Sequence, residues 1–298
     1  MRKFIKILRL NYRYIIKMSM RGTSAVYAFL GLVGTFVSME GLFNTNTTIL
    51  KRILISIGIL AAVWGTVCVM ITVYLCVKRR FEILDVGNGH HVYVQYGDVF
   101  SKDVVLTPDE RRNIVIPVNR CFDTIVNSIL VSPNTLHGKT MLKLYASKQY
   151  NEESLNEEIQ RQLAERKIEY ELLNQEGEKS GNLKRYPVGT VAELSVNKDL
   201  TYFFLGLTAF DKENHAHISN EEYVLALGRL IKYCNTRSQG YPVVMPLIGG
   251  GLPNTEKRED DILEYLVRLI KLNRLYINCD LHIVVRAENK NSIGIAGL

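Results

Sequence analysis

Residues Ile53 to Val77 run for 25 positions without a charged side chain. A helix needs about 20 predominantly apolar residues to cross the hydrocarbon core of a bilayer, so this run qualifies as a span. Its Val/Ile/Leu density leaves no polar face. An open strand would leave its backbone unsatisfied in lipid, so the segment must be helical there. Thr23 to Phe43 is a second such run, apolar or small apart from Glu40 near one end. Only Asn44 to Arg52 separates the two, which makes them antiparallel neighbours. The chain therefore divides into a leader (1–22), a two-helix transmembrane hairpin (23–80) and a folded domain (81–298).

Charge supports this division. Residues 1–80 carry twelve Lys/Arg and one acid, Glu40, so the overall +7 leaves −4 for residues 81–298. A general nucleic-acid binder wants its basic surface on the folded domain, and here that domain is mildly acidic. Arg2, Lys3, Lys6, Arg9, Arg13, Lys17 and Arg21 precede the first run, and Lys78, Arg79 and Arg80 follow the second. The connection holds only Lys51 and Arg52, so both termini are expected on the cytoplasmic side of the membrane. A cleaved signal peptide is the rival reading of the N-terminus. The long leader, the missing small-x-small cleavage site and the second span weigh against it. The leader itself reads equally as an amphipathic helix on anionic headgroups or as an ordinary positive-inside flank. Small residues from Gly22 to Gly34 offer either a helix-packing face or lipid-facing filler. Five cysteines, at 68, 76, 121, 234 and 279, form no close pairs, which suits a reducing compartment.

Beyond the hairpin the pattern is α/β. His91–Tyr96 alternates Val92, Val94 and Tyr96 inward, as a strand does. Asn113–Val118, Thr201–Thr208, Tyr241–Leu247 and Asp280–Arg286 are short apolar runs of the kind buried on both faces of a sheet. Ser154–Glu157 and Ser219–Glu222 have the spacing of capping boxes. The helix after Ser219 is expected to bury Val224, Leu227, Leu230, Ile231 and Cys234. Glu256, Glu259, Asp260 and Asp261 open another, with Ile262, Leu266, Leu269 and Ile270 as its apolar face. Asn151–Lys167 is polar enough to read as an exposed helix, and Asn174–Asn182 as a polar loop. Strands alternating with helices predict a sheet between two helical layers.

Four places join strand ends to loop chemistry. Tyr96–Phe100 runs into Gly97-Asp98, where a carboxylate can accept from an exocyclic amine, although Gly-Asp is also an ordinary turn. Ile114–Arg120 is a buried strand ending in Asn119. Leu136-His137-Gly138-Lys139-Thr140 lacks the spacing of a phosphate loop. The strongest is Tyr241–Leu252, in which Gly249, Gly250 and Gly251 follow a buried strand and let backbone amides approach a phosphate. His90-His91 and His215/His217 are expected to lack carboxylate or cysteine neighbours and read as solvated turn residues rather than metal ligands.

Taken in that order, these places resemble macro domains, which bind ADP-ribose. Gly97-Asp98-Val99-Phe100 resembles the family's Gly-Asp-Ile start, whose aspartate holds the adenine amine. Ile116-Pro117-Val118-Asn119 is similar to the segment before its ribose- and phosphate-contacting loop, and Ile248–Leu252 to its second phosphate loop. The resemblance covers about Val92 to Arg286. It implies a three-layer α/β/α fold with a mixed, mostly parallel sheet. The implied ligand-binding set is Asp98, Val99, Phe100, Asn119, Leu136, His137, Thr208, Ile248, Gly249, Gly250, Gly251 and Leu252. The family's hydrolases carry Asn-Ala-Ala-Asn where this chain has Pro117-Val118-Asn119-Arg120, which weighs against hydrolysis and leaves binding intact.

A hairpin joined to such a domain resembles the membrane effector of type II Thoeris anti-phage defence. The resemblance implies a non-enzymatic effector, without cofactor or metal, that binds histidine-ADP-ribose made by a TIR enzyme. Binding then drives homo-oligomerisation and damage to the lipid bilayer of the inner membrane. The amino-acid group needs its own pocket, from Tyr186–Thr190 or from Thr208–Asp211. The alternatives are a membrane-anchored ADP-ribose hydrolase or deacylase using Asn119 or Asp123, and a structural membrane protein that binds no nucleotide.

Overall fold

The structure, a computed structural model, describes residues 2–34, 48–127, 129–173, 181–210, 216–249 and 258–298. Contacts divide the chain into two compact units, Met1–Phe81 with Glu288–Leu298, and Glu82–Ala287.

The first unit is helical: α1 (Arg2–Leu10), α2 (Tyr12–Gly34) and α3 (Ile49–Val77). Asn11 interrupts α1 and α2 only nominally. Its N–H reaches Ile7 O at 3.0 Å and its carbonyl accepts from Ile15 N at 2.9 Å, so the helical ladder carries through. Ile7, Asn11, Ile15, Ser19 and Thr23 are all buried, and their four-residue spacing makes one seam. Thr72 and Leu75 of α3 are buried. A Cβ on Gly22 would lie 3.2 Å from Val67 Cγ1, so glycine allows the close approach there. The rest of the small-residue row does not share this role: Ser24, Ala25 and Ala28 are exposed, and Gly31 faces open space.

Among the described residues one helix, over Ile53–Val77 with mean hydropathy 2.4, is long and apolar enough to cross a membrane. The other expected span begins inside α2, and its residues 35–43 lie outside the described residues, as do 44–47 of the connection.

The final eleven residues, expected within the α/β domain, cluster with the helices. Lys290 Nζ donates to the carbonyls of Cys76 (2.9 Å) and Lys78 (2.8 Å), groups that the end of α3 leaves without helical partners. Burial lowers the Lys290 pKa, and nearby Lys3 and Arg79 lower it further. Ile293 and Ile295 are buried, and Gly294 passes Leu10 O and Asn11 so closely that a Cβ would sit 3.2 and 3.1 Å from them.

The second unit is built on a sheet of order β1-β2-β10-β9-β3-β7-β6. Its strands are β1 (Arg80–Asp85), β2 (His91–Gly97), β3 (Arg112–Asn119), β6 (Val191–Asn197), β7 (Leu200–Phe210), β9 (Val243–Pro246) and β10 (Leu281–Arg286). Strands β2, β10, β9, β3 and β7 are parallel, and β6 closes one side antiparallel to β7. β8 (Ala216–His217) pairs with the end of β7, and β4 (Glu171–Leu172) with β5 (Lys184–Arg185).

On one face, Ile114, Ile116, Tyr202, Phe204, Ala192 and Leu194 pack with Met141 and Leu144 of α4 (Leu136–Ala146) and Leu155, Ile159 and Leu163 of α5 (Glu152–Glu165). On the other lie α6 (Asn220–Arg237) and α7 (Glu259–Leu272), with Tyr233 of α6 edge-on to Phe203 at 5.5 Å. This is the three-layer, mixed but mostly parallel α/β fold expected.

Local expectations fare unevenly. The Ser219–Glu222 box is present in both directions. The box at α5 is formed by Asn151 and Ser154, three residues earlier than expected, because Asn151 is the better-placed cap for the Leu155/Ile159/Leu163 stripe. That stripe is fully buried, so α5 is a packed helix with a polar back. Val224 is exposed, and Ala226 takes its place in the α6 face. Leu263 and Val267 join the α7 face while Leu269 is only half-buried, and Glu256 lies outside the described residues. β2 is buried on both faces, including Tyr93 and Gln95, because it lies inside the sheet between β1 and β10. His91 and His90 do have carboxylate neighbours, Glu82 at 3.3 Å and Asp280 at 3.7 Å, and His91 is a strand residue. His215 and most of the Asn174–Asn182 loop lie outside the described residues.

Candidate functional site

Parallel strands deliver their carboxyl ends to one edge of the sheet. β2 ends at Gly97, β3 at Asn119 and β9 at Pro246, and Thr208 of β7 is in register with Asn119. From β9 the chain returns through α7 to β10 on one side, whereas from β3 it proceeds to β7 on the other. Their boundary is thus a topological switch point, the place where open α/β sheets form a ligand crevice. Direct pairing between β3 and β9 covers only Asn113↔Val243 and Ile114↔Val244, although both strands run on. Pro117 and Pro246 remove backbone donors in the segments where the ladder would continue.

At the β2 end, Asp98 is exposed. Its Oδ1 accepts from Phe100 N (3.1 Å) and its carbonyl from Ser101 N (3.0 Å), so the turn reading of Gly97-Asp98 is realised. The same turn fixes the carboxylate at the carboxyl edge. Val99 is buried, and the ring of Phe100 lies 4.1 Å beneath Lys143 Nζ.

At the β3 end, Asn119 is buried. Its Oδ1 accepts from Cys121 N (3.1 Å) and Asp123 N (3.3 Å), while its Nδ2 is a buried donor without a hydrogen-bond partner among the described residues. A buried orphan donor is uncommon and calls for an acceptor from water or ligand. Arg120 is held from three directions. Its N–H reaches Thr208 O (2.8 Å), its Nε reaches Tyr186 O (2.8 Å), and its Nη1 contacts Glu222 Oε1 (2.8 Å). Glu222 also closes the α6 capping box through Oε2, so one carboxylate ties this loop to a helix start. Phe122 adopts φ 55°, a conformation a bulky side chain rarely accepts, with its ring against Tyr186 at 5.7 Å. Neither Phe122 nor the Arg120–Glu222 pair carries a sequence motif, and both are long-range facts.

Leu136 and His137 begin α4 rather than forming a loop. Thr135 Oγ1 caps the helix through Gly138 N at 3.1 Å. His137 is buried and hydrogen-bonded to the backbone of Asp123, so it shares a neighbour with Asn119. Burial pushes its pKa down to about 3, and the ring is neutral at physiological pH. The consequence is a pH-dependent stability. Above the ordinary value of 6.5 the ring is neutral in both folded and unfolded chains. As pH falls toward 3, only the unfolded chain gains the proton, and stability is lost by about 1.4 kcal/mol per pH unit. Between pH 7.5 and pH 5 the loss is about 2 kcal/mol. Urea midpoints at the two pH values should show that difference for the wild type and not for His137→Gln.

At the β9 end, Leu247 N still bonds Val284 O (3.0 Å), and Ile248 is buried with its carbonyl accepting from Tyr223 OH (2.8 Å). Gly249 has φ +93°, and a Cβ there would lie 3.1 Å from the Tyr223 ring. Gly250, Gly251 and Leu252 lie outside the described residues, as does Asp211. Of the two segments considered for the amino-acid group, Tyr186–Thr190 is largely a packed wall. Tyr186 is buried with its OH on Gln160 (2.9 Å), and Gly189 crowds Ala226 and Arg229 of α6. Among the described residues no three His, Cys, Asp or Glu side chains converge as a metal site.

The family profile described as "Thoeris protein ThsA, Macro domain" matches residues 92–286, from the second residue of β2 to the last of β10. The chain belongs to the Thoeris ThsA macro-domain family. A curated relative, Thoeris protein ThsA of Bacillus amyloliquefaciens (strain Y2), is 30% identical over 166 residues, covering 55% of this chain and 50% of the relative. The chain thus spans about half the length of that ThsA protein. The ThsA macro-domain match contains every candidate site residue, from Asp98 through Leu252, and none of α1–α3.

Proposed function

We propose that this ThsA-family chain is a ligand-gated membrane effector of Thoeris defence. Its macro domain binds histidine-ADP-ribose or a related ADP-ribose conjugate, the product of a TIR-domain enzyme. Binding drives homo-oligomerisation, and the spanning helices then disrupt the inner membrane in which the chain sits as a multi-pass protein with both termini cytoplasmic. The domain acts by binding, without catalysis and without cofactor or metal.

The observation that carries the reading is convergence. Asp98, Asn119, Thr208 and Ile248–Gly249 come from four separate strands and meet one carboxyl edge, flanking the switch point between β3 and β9. In this reading Asp98 accepts from the adenine amine, and amides from Gly249 onward ring the diphosphate. The orphan amide of Asn119 supplies a donor to a ribose or phosphate oxygen. The apolar α3, outside the family match, provides the membrane arm.

Titrating the full chain in detergent with ADP-ribose and its histidine conjugate, followed by melting temperature, tests the reading. Asp98→Ala removes one hydrogen bond to a charged group, worth about 1.5–3 kcal/mol, so affinity should fall by about ten- to a hundredfold. Unchanged affinity in the folded variant removes Asp98 from the site. Release of free ADP-ribose from a conjugate would favour the hydrolase, and no shift with either ligand would remove nucleotide binding.

A further inference from the structure

The helical unit carries a surface that nucleotide binding does not use. Residues 2–34 contain seven Lys/Arg and no acid. Lys3, Lys6, Arg9, Arg13, Lys17 and Arg21 are all exposed, and the three- and four-residue steps from Lys6 onward align them on one flank of α1–α2. Ile7, Asn11, Ile15, Ser19 and Thr23 face inward as the seam. Between seam and bases lies a third flank, Ile5, Leu8, Tyr12 and Ile16, apolar and 36–49% exposed. Outward-facing apolar and basic stripes side by side fit the boundary between acyl chains and charged headgroups.

The register of the helices gives the depth. Gly22 lies against Val67, and Lys3 and Arg79 both lie near Lys290, so α1–α2 runs antiparallel to α3 with α1 at the exit end of α3. Counting from Gly22/Val67 puts Arg21 level with Cys68, Lys17 with Thr72 and Arg13 with Cys76, while Lys3, Lys6 and Arg9 lie beyond Val77. The bases therefore bracket the point where the apolar run leaves lipid. Arg21 is nine residues inside that end, about 14 Å along the axis, and is the deepest of these bases.

We infer that the basic flank of α1–α2 binds anionic phospholipid headgroups at the leaflet where α3 exits. This rests on the reading that α3 spans the membrane. Lys6, Arg9, Arg13 and Lys17, the exposed cations nearest that end, stand on a segment that carries no acid. A layer of phosphodiesters supplies anions at that end. An nucleic acid strand would be approached by the same charges, but has no use for the adjoining apolar flank.

The chain's single tryptophan, Trp64, lies in α3 near the middle of the apolar run and reports on neighbouring acyl chains. The full chain reconstituted in mixed vesicles is quenched with dibrominated phosphatidylglycerol or dibrominated phosphatidylcholine, giving a relative binding constant for the two lipids. We expect at least about a threefold preference for phosphatidylglycerol. The preference should fall to near one in a Lys6→Gln/Arg9→Gln/Arg13→Gln/Lys17→Gln variant. It should persist in a Lys148→Gln/Lys167→Gln/Lys198→Gln/Lys232→Gln variant, which removes the same charge from the second unit. Quenching by both lipids without preference, or equal preference in the two variants, overturns the inference and leaves the span intact. No quenching by either lipid overturns the span itself, a separate failure. Binding of a labelled oligonucleotide in detergent that the first variant abolishes, with no lipid preference, assigns the flank to nucleic acid instead.

Discussion

Gly138→Ala is expected to be among the most destabilising single-methyl changes in this protein, lowering stability by about 3 kcal/mol or more. Helix propensity alone points the other way, since alanine inside a helix is favoured over glycine by about 1 kcal/mol. At this position packing decides. The added Cβ would lie 2.2 Å from the carbonyl oxygen of Ser132, 2.8 Å from its carbon and 2.9 Å from Pro133 Cα, all backbone. That carbonyl cannot swing away cheaply, because it accepts from Thr135 N (3.1 Å) and Thr135 Oγ1 (2.7 Å), the residue that caps α4. Moving it would disturb the cap and His137 behind it. Gly228 in α6 is the internal control: a Cβ there meets nothing within 4 Å. Gly228→Ala should therefore stabilise by about 0.5–1 kcal/mol. Denaturant unfolding of the two variants should move the midpoint in opposite directions, and a shared direction would contradict the packing argument.

Gly249→Val should act on the ligand more than on the fold. Its φ of +93° is costly for any L side chain, and the new Cβ would press on Tyr223 at 3.1 Å. Tyr223 OH holds the Ile248 carbonyl at 2.8 Å, so the strain falls on the turn that starts the glycine loop. Displacing that turn shifts Gly249, from which the glycine loop starts. The expected loss of affinity for an ADP-ribose ligand is more than tenfold, the loss of one charge-assisted hydrogen bond or more. The hydrophobic interior of the sheet is not touched, so the melting temperature should fall by only a few degrees. Calorimetric titration checks the first, and a thermal scan the second. Undiminished affinity in Gly249→Val would take the β9 loop out of the site.

Local signals in the sequence carried the central strands and failed at the margins. Asn113–Val118 and Asp280–Arg286 are strands buried on both faces, where continuous apolar runs are the physical signature, and both were legible. β6 was not, because VAELSVN mixes buried Val191, Ala192 and Leu194 with polar residues at an edge covered on one side only. The α5 cap was misplaced by three residues because Asn151 and Ser154 offer overlapping boxes and only the buried stripe decides between them. At the site, Gly97-Asp98 and Ile248–Gly249 were visible as glycine chemistry at strand ends. What joins them was not visible. The switch point depends on strand order, the Arg120–Glu222 tie spans 102 residues, and the His137–Asp123 bond requires α4 to fold back on the β3 loop. The docking of Lys290 on the end of α3 is equally non-local, at 214 residues from Cys76.

The most direct test of a ligand-gated membrane effector places the full chain in vesicles loaded with a self-quenching dye and adds histidine-ADP-ribose. Dye release that depends on the conjugate, accompanied by growth in particle size, is the expected result. Asp98→Ala should shift the release to about ten- to a hundredfold higher ligand. Ligand binding without release or assembly would contradict the account, leaving a macro domain that binds its nucleotide on a membrane anchor that does not respond.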